Sequence, residues 1–471
     1  MTWDQGPRDR RIITPMTRLA WFSPMPPVRS GVAMVSADLV PALRAWYDID
    51  VFVDSAADHP AGSHLRSAHD FVWLNRRKPY DLTVYQLGNS AVHEYMWPYL
   101  FRYPGLTVLH DARVHHARAA ALLRARRTDD YRAEFAANHP AAHPDLAELA
   151  VAGFDNHLYY HWPMTRLVAE RSRLTAVHAE ALAARLRLDA PRASVESIRL
   201  GHGRLPDDEG ARTSVRARYG IEEDAIVFGC FGGLSPEKRL PQILRAFAAL
   251  RDRTPAVRLL LGGATPGHYD LQADIERAGA GGSTIVAGYL DTDAELNACI
   301  SACDVALNLR WPTAWEISGP WLRCLAAGVP TIITQLGHLS DVPSLDPRTW
   351  RPSMAMSEAT ADGNWKLEAG DSKLEAVCIA IDILDEDHSL RLAMRRLARD
   401  DSLRRSLGKA GQEWWTARHA PAVMLEDYRR LIPLTMERPV PENEMPAHLV
   451  RNGRRTLERL IEPFGLPDPL R

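Results

Sequence analysis

The chain has 471 residues, too many for one hydrophobic core and suited to two domains of ordinary size. Its 46% hydrophobic and 25% charged residues are those of a soluble globular protein, and a formal net charge of −2 excludes a global field toward nucleic acid or an acidic membrane. Five scattered cysteines, none in a C-x-x-C pair, exclude a disulfide framework or a zinc cluster; the opening twenty residues are too polar for a secretory signal and no run is long enough to span a membrane, so a reducing cytoplasmic enzyme is expected.

"RLAWFSP" (18–24) reads as a buried strand, followed by the loop "MPPVRSG" and a stretch with helical apolar spacing, "VAMVSADLVPALRAW". "DIDVFVD" (48–54), "YDLTVYQLGNS" (80–90) and "GLTVLHD" (105–111) are further strands. Residues 112–170 are helix-rich and polar, and "LTAVHA" (174–179) and "VESIRLG" (195–201) return to the sheet. A polar, turn-rich segment, 202–220, reads as the linker. A second β-α series follows: "AIVFGCFGGL" (225–234), "VRLLLGG" (257–263), "STIVAGYL" (283–290), "CDVALNL" (303–309) and "PTIIT" (330–334). Amphipathic helices are expected over 386–432 and a loosely packed tail over 436–471. The fold expected is α/β, two doubly wound Rossmann-like domains facing across a cleft. Their boundaries are drawn at 1–205, 206–415 and 416–471, the last a helix crossing back plus the tail. Ligands in such folds sit at the carboxyl ends of the strands.

The richest stretch is "RWPTAWEISGPWLRCLAAGVPTI" (310–332). Pro320 suits a helix start, and Gly328 with Pro330 a helix end. The N-terminus of that short helix, preceded by Ser318 and Gly319, is a natural anion site. Glu316 lies just outside it; it would repel a phosphate but can accept hydrogen bonds from sugar hydroxyls. A tight turn with a solvated loop acid explains the local spacing equally well. A second stretch, "FGGLSPEKRL" (231–240), places Gly233 after a strand and Lys238 at a helix start, where a lysine can neutralise a diphosphate. Each stretch is weak alone; the two in this order are specific.

With "SPMPPVRSG", "YQLGNSAVHEY", "LHD", "CFGGLSPEKRL" and "EISGPWLRCLAAGVPTIIT", the chain from about residue 18 to about 432 resembles the family 4 glycosyltransferases of the GT-B fold. These are retaining, nucleotide-sugar-dependent enzymes. The resemblance implies backbone amides at Gly31 facing a diphosphate, His110 beside the donor sugar, and Asp111 orienting that imidazole or receiving the acceptor's proton. It also implies backbone contacts to the nucleotide base near Tyr289 and Leu290. Asn89, His93, His115 and His116 are acceptor-side candidates, and His178 reads as structural or cleft-lining.

The chain departs from the family pattern in two places. Gly233 stands where an arginine is usual, and Arg323 stands near the usual second glutamate. An arginine cannot accept ribose hydroxyl protons. Arg323 is therefore expected to supply the missing positive charge, with Arg310 as another candidate and a structural pairing of Arg323 with a neighbouring carboxylate as the alternative.

The function expected is transfer of a sugar, by a hexosyltransferase type of reaction, from a UDP- or GDP-sugar to an acceptor hydroxyl. The leaving diphosphate would take the proton, and neither metal nor cofactor is implied. The DxD-like spacings Asp48-Asp50, Asp291-Asp293 and Asp385-Asp387 have no consistent strand-end setting. The acceptor would be a glycan, a lipid-linked sugar or a small metabolite. No nucleic acid is implied, and contact of the basic run 113–127 with the inner membrane face is not favoured. Two other readings stay open: a nucleotide-sugar epimerase, against which the helix-rich 112–170 segment argues, and a degenerate module acting as a partner or regulator.

Overall fold

The computed structural model describes residues 16–60, 64–154, 157–205, 210–353, 375–451 and 460–465. Parts of the expected linker (206–209), the opening segment (1–15) and the tail (452–459 and 466–471) lie outside them.

Seven strands form the first sheet: β1 (Arg18–Phe22), β2 (Asp48–Val53), β3 (Leu65–Ser67), β4 (Leu82–Leu87), β5 (Leu106–Leu109), β6 (Leu174–Val177) and β7 (Val195–Ser197). Their order is β3-β2-β1-β4-β5-β6-β7 and every pairing is parallel. Strands β4, β5 and β6 are buried along their whole length, as continuous apolar runs in a parallel sheet covered on both faces should be. The second sheet holds β8 (Ile226–Phe231), β9 (Val257–Gly262), β10 (Thr284–Gly288), β11 (Val305–Asn308), β12 (Thr331–Thr334), β13 (Ser344–Asp346), β14 (Arg351–Ser353) and β15 (Cys378–Ile381), ordered β10-β9-β8-β11-β12-β15-β13-β14. Only the β13–β14 pairing is antiparallel. Both orders reverse direction beside their first strand, which opens a crevice at the carboxyl ends.

The helices that matter below are α1 (Gly31–Leu43), α2 (His115–Arg124), α3 (Leu240–Arg251), α4 (Asp293–Ser301), α5 (Gly319–Ala326), α6 (Glu386–Arg399), α7 (Asp401–Arg418) and α8 (Pro421–Glu437). Between β5 and β6, α2 and three further helices (Thr128–Asn138, Asp145–Val151, Leu158–His161) form an insertion with its own core around Tyr131, Phe135, Tyr159 and Met164. The last long helix, α8, returns to the first domain. There Asp427 takes the Arg199 guanidinium through two bonds of 2.8 Å, and the Tyr428 ring packs 5.4 Å from Trp21.

Two expectations are corrected here. The stretch Cys378–Ile381 is a fully buried strand, not recognised in the sequence although its apolar run carries the signal. The described part of the tail is not loose. Arg171 and Arg173 donate to the carbonyls of Pro441 and Arg438, and His448 joins the buried Arg118–Glu134 pair of the insertion.

Candidate active site

The loop after β11 is folded around Glu316. Its Oε1 lies 2.7 Å from Arg310 Nε, and its Oε2 accepts the Thr313 hydroxyl at 2.8 Å. Thr313 Oγ1 in turn accepts the Trp315 N–H at 2.9 Å. Trp315 sits at φ +61°, a region costly for a bulky side chain. The carbonyl of Glu316 accepts His338 Nε2–H at 3.2 Å, which fixes that tautomer and leaves His338 Nδ1 buried without a partner. Burial pulls the His338 imidazole down to about 4, so it is neutral. After the loop, Ser318 caps α5 through Oγ, which accepts the Trp321 N–H.

The glycine loop after β8 lies next to this. Gly232 has φ +94°, and a Cβ at neighbouring Gly263 would fall 1.9 Å from the Gly232 carbonyl oxygen, so only glycine fits there. Lys238 is buried beneath the loop and donates to the carbonyl of Phe231. Burial pulls its ammonium down to about 8, with the Arg310 charge adding to the effect. A Cβ at Gly233 or at Gly31 would meet open space, so the two glycine positions border free volume from opposite domains.

The first domain meets this loop at the end of β5. Asp111 and Glu316 form an antiparallel β-bridge, and the Arg113 N–H donates to the Ala314 carbonyl at 3.1 Å. The Asp111 carboxyl accepts the Asn89 N–H at 2.6 Å. Burial, and then the charge of Glu316, push it up to about 7. Asn89 also accepts the Ala117 N–H of α2 at 3.0 Å and lies 3.2 Å from His116 Nδ1. Tyr160 of the insertion packs edge-on against His116. Burial, then the charges of Glu237 and Glu316, raise its phenol to about 12, which places it beside the same cleft.

Several expected roles are corrected. The His110 imidazole faces inward: Nδ1 lies 3.1 Å from His178 Nε2, and Nε2 lies 2.8 Å from the Gln86 side chain, which also binds Tyr428. Asp111 therefore does not orient it. Burial holds His110 well below the usual imidazole range. His178 donates from Nδ1 to the Ile198 carbonyl, so it supports His110 from below. His93 is buried with Nδ1 on the Gln86 carbonyl, and His115 is buried inside the insertion between Tyr131 and Trp162; neither lines an open acceptor surface. At the expected base position, the half-buried Leu290 side chain packs against the core beside Phe231 and Gly262, and Tyr289 is exposed beneath the Arg29 guanidinium, 4.1 Å from its ring centre; neither bears on a backbone contact to a base.

Arg323 is locked in structure. Its nitrogens reach Asp293 at 2.8 Å, Asn297 at 3.1 Å and His202 of the linker at 3.0 Å, and the side chain is 5% exposed. The pairing with a neighbouring carboxylate is the arrangement found. Of the two candidate arginines, Arg310 is the one electrostatically coupled to Lys238 and Glu316. Arg113, Trp315, Tyr160 and His338 are cleft residues that sequence reasoning missed. Arg113 and Tyr160 lie just after strand β5 and inside the insertion, where no motif marks them.

Residues 211–343 match the family model Glycosyl transferases group 1. That match spans β8 to β12 and includes Lys238 and Glu316. No curated protein matches the chain in sequence. Among solved structures, sucrose-phosphate synthase from Thermosynechococcus elongatus superposes with a TM-score of 0.59 at 16% identity, covering 89% of this chain and 100% of that one. Anabaena HepE in complex with UDP and glucose gives 0.55 at 13% identity, covering 89% and 100%. WaaG, a glycosyltransferase involved in lipopolysaccharide biosynthesis, gives 0.55 at 14% identity, covering 88% and 99%. At these identities the likeness is one of fold: two Rossmann-like domains in the GT-B arrangement. Among the described residues no group of His, Cys, Asp or Glu could hold a metal ion, and no helix is long and apolar enough to cross a membrane.

Proposed function

We propose that the protein transfers a sugar from a nucleoside diphosphate to an acceptor hydroxyl with retention of configuration and without a metal. The observation that carries this reading is the meeting of Lys238, Arg310 and Glu316 at the strand ends of a group 1 glycosyltransferase segment, closed from the other side by Asp111. Lys238 and Arg310 offer positive charge to a diphosphate, and the amides of Gly233, Gly319 and Gly31 offer donors to it. In this reading Arg310 exchanges its Glu316 partner for the phosphate, which frees Glu316 to accept sugar hydroxyls. That the neighbour HepE is complexed with UDP and glucose supports a UDP-sugar as the first donor to try.

In this reading the leaving phosphate itself takes the acceptor's proton, and Asp111, which holds its own proton up to about pH 7, is not needed as the base. The insertion would form the acceptor side, with Asn89, His116 and Tyr160 bordering it. The degenerate-module reading draws on the engagement of Arg323 with Asp293 rather than with the cleft. Thermal melts against UDP, GDP, ADP and their sugars, followed by product analysis with the stabilising donor, test the proposal. A donor-specific rise in melting temperature with slow hydrolysis of that donor is expected. No shift with any nucleotide would leave the non-catalytic module as the better reading.

A further inference from the structure

Arg113 reaches the cleft from the end of β5, and among the described residues its guanidinium is only partly engaged. It lies two residues after Asp111, and its backbone N–H is fixed on the Ala314 carbonyl at 3.1 Å. Its guanidinium carbon lies 4.0 Å from the centre of the Trp315 ring, and Nη1 donates to the Thr313 carbonyl at 3.1 Å. Two contacts thus hold the planar group in one orientation, on a backbone that is itself fixed. The left-handed backbone of Trp315 is a cost the loop bears to present that ring.

Among the described residues no other hydrogen bond engages the guanidinium. Nε is buried and has no hydrogen-bond partner, and among the described residues Arg113 makes no ion pair. The nearby Glu316 is already neutralised by Arg310 at 2.7 Å. An arginine with Nη1 occupied presents its Nε and Nη2 edge, and that edge matches the two oxygens of a carboxylate. An unpaired buried donor of this kind calls for an acceptor.

The donor's diphosphate is the less fitting anion. Lys238 lies under the glycine loop on the Phe231 carbonyl at the end of β8, whereas Arg113 lies after β5 where the insertion begins, with its guanidinium against Thr313 and Trp315. Arg113 is therefore on the sugar and acceptor side of Glu316. We propose that a sugar handled in this cleft carries a carboxylate, and that Arg113 receives it through its Nε and Nη2 edge. This rests on the glycosyltransferase reading for the identity of the ligand as a sugar, but not for the anion site itself. The carboxylate belongs to the transferred sugar or to the acceptor sugar.

The test compares acidic with neutral probes on the full chain by calorimetry and ligand-observed NMR. UDP-glucuronate is set against UDP-glucose, GDP-mannuronate against GDP-mannose, and free glucuronate against free glucose. Wild type is measured beside Arg113→Met, which keeps a stem on Trp315, and Arg113→Lys, which keeps the charge without the fork. Melts without ligand and the affinity for UDP or GDP alone show that each variant is folded. Wild type is expected to favour the acidic form about tenfold or more, Arg113→Met to lose that preference, and Arg113→Lys to retain part of it. A preference in the nucleotide-linked pair assigns the carboxylate to the donor, and a preference only in the free pair assigns it to the acceptor. Equal or tighter binding of the neutral form in every pair, no binding of any probe, or an acidic preference that survives Arg113→Met, overturns the proposal. If no nucleotide form binds but free glucuronate is still preferred through Arg113, the anion site stands and the glycosyltransferase reading fails.

Discussion

Asp111 and Glu316 face each other as a β-bridged pair across the interdomain cleft, one at the end of β5 and the other in the loop after β11. Burial, and then the charge of Glu316 across the bridge, count against ionisation of Asp111. Asp111 is the member that holds its proton, titrating at about 7 against a usual 3.8. The folded chain then binds more protons than the unfolded one between about 4 and 7, so this group makes stability fall as pH rises through that window. Asp111→Asn can still accept the Asn89 N–H and removes the penalty. It should raise stability at pH 8 by about 1–3 kcal/mol and leave stability at pH 4 nearly unchanged. Urea unfolding at the two pH values checks this; an equal change at both would mean that Asp111 is not the buried acid described.

Glu316→Gln tests the other member. It keeps the size and the Thr313 bond but loses the Arg310 ion pair and the strong acceptor for sugar hydroxyls. Affinity for the bare nucleoside diphosphate should hold or rise, because Arg310 is released toward the phosphates. The extra affinity contributed by the sugar should vanish and turnover should fall about 100-fold. Parallel titrations with the nucleotide and its sugar separate the two effects; equal loss for both would assign Glu316 to the loop's structure instead.

Lys238 gives a prediction in which binding and stability move in opposite directions. Its ammonium is pulled down to about 8 in the unliganded fold. Between about 8 and 10.5 the unfolded chain binds the extra proton, so this group makes the free protein more stable as pH rises. The diphosphate needs the charged form, so its affinity should fall up to tenfold per pH unit above 8. Calorimetric titrations from pH 7 to 9.5, with Lys238→Met as the flat control, check the slope. A slope in the variant equal to that of wild type would exclude Lys238 as its source.

The strands, the cleft and the glycine–lysine and Glu316 segments were legible because each is written locally. Buried parallel strands appear as continuous apolar runs, and helix starts carry Ser318 and Pro320 as signals. What was not legible depends on contacts between segments far apart in sequence. Nothing in "LHDARVHH" says that His110 turns inward to His178, that His115 faces Tyr131, or that Arg113 crosses to Trp315. Those directions follow from the insertion folding over the end of β5. Arg323 is the sharpest instance. Its spacing from Glu316 pointed to the donor, while its three partners come from α4 and from the linker.

Arg323→Ala therefore separates a structural from a donor-binding role. The side chain joins Asp293 and Asn297 of α4 to His202, whose Nε2 accepts from Arg323 Nε at 3.0 Å. Gly203 packs on the same residue: a Cβ there would lie 3.2 Å from the Arg323 Cα. The linker is held in turn by Trp415 of α7, which donates to the His202 carbonyl at 2.9 Å. Removing the guanidinium leaves Asp293 without its ion pair and His202 with an unsatisfied buried acceptor. The expected loss of stability is about 2–4 kcal/mol, tempered because Asp293 is one-third exposed. Affinity for a nucleoside diphosphate should change less than threefold at a temperature where the variant is folded. Chemical denaturation and nucleotide titration on the same sample decide the matter. A variant with the wild-type denaturation midpoint but no diphosphate binding would return Arg323 to the donor site and mean that its guanidinium leaves Asp293 when the ligand arrives.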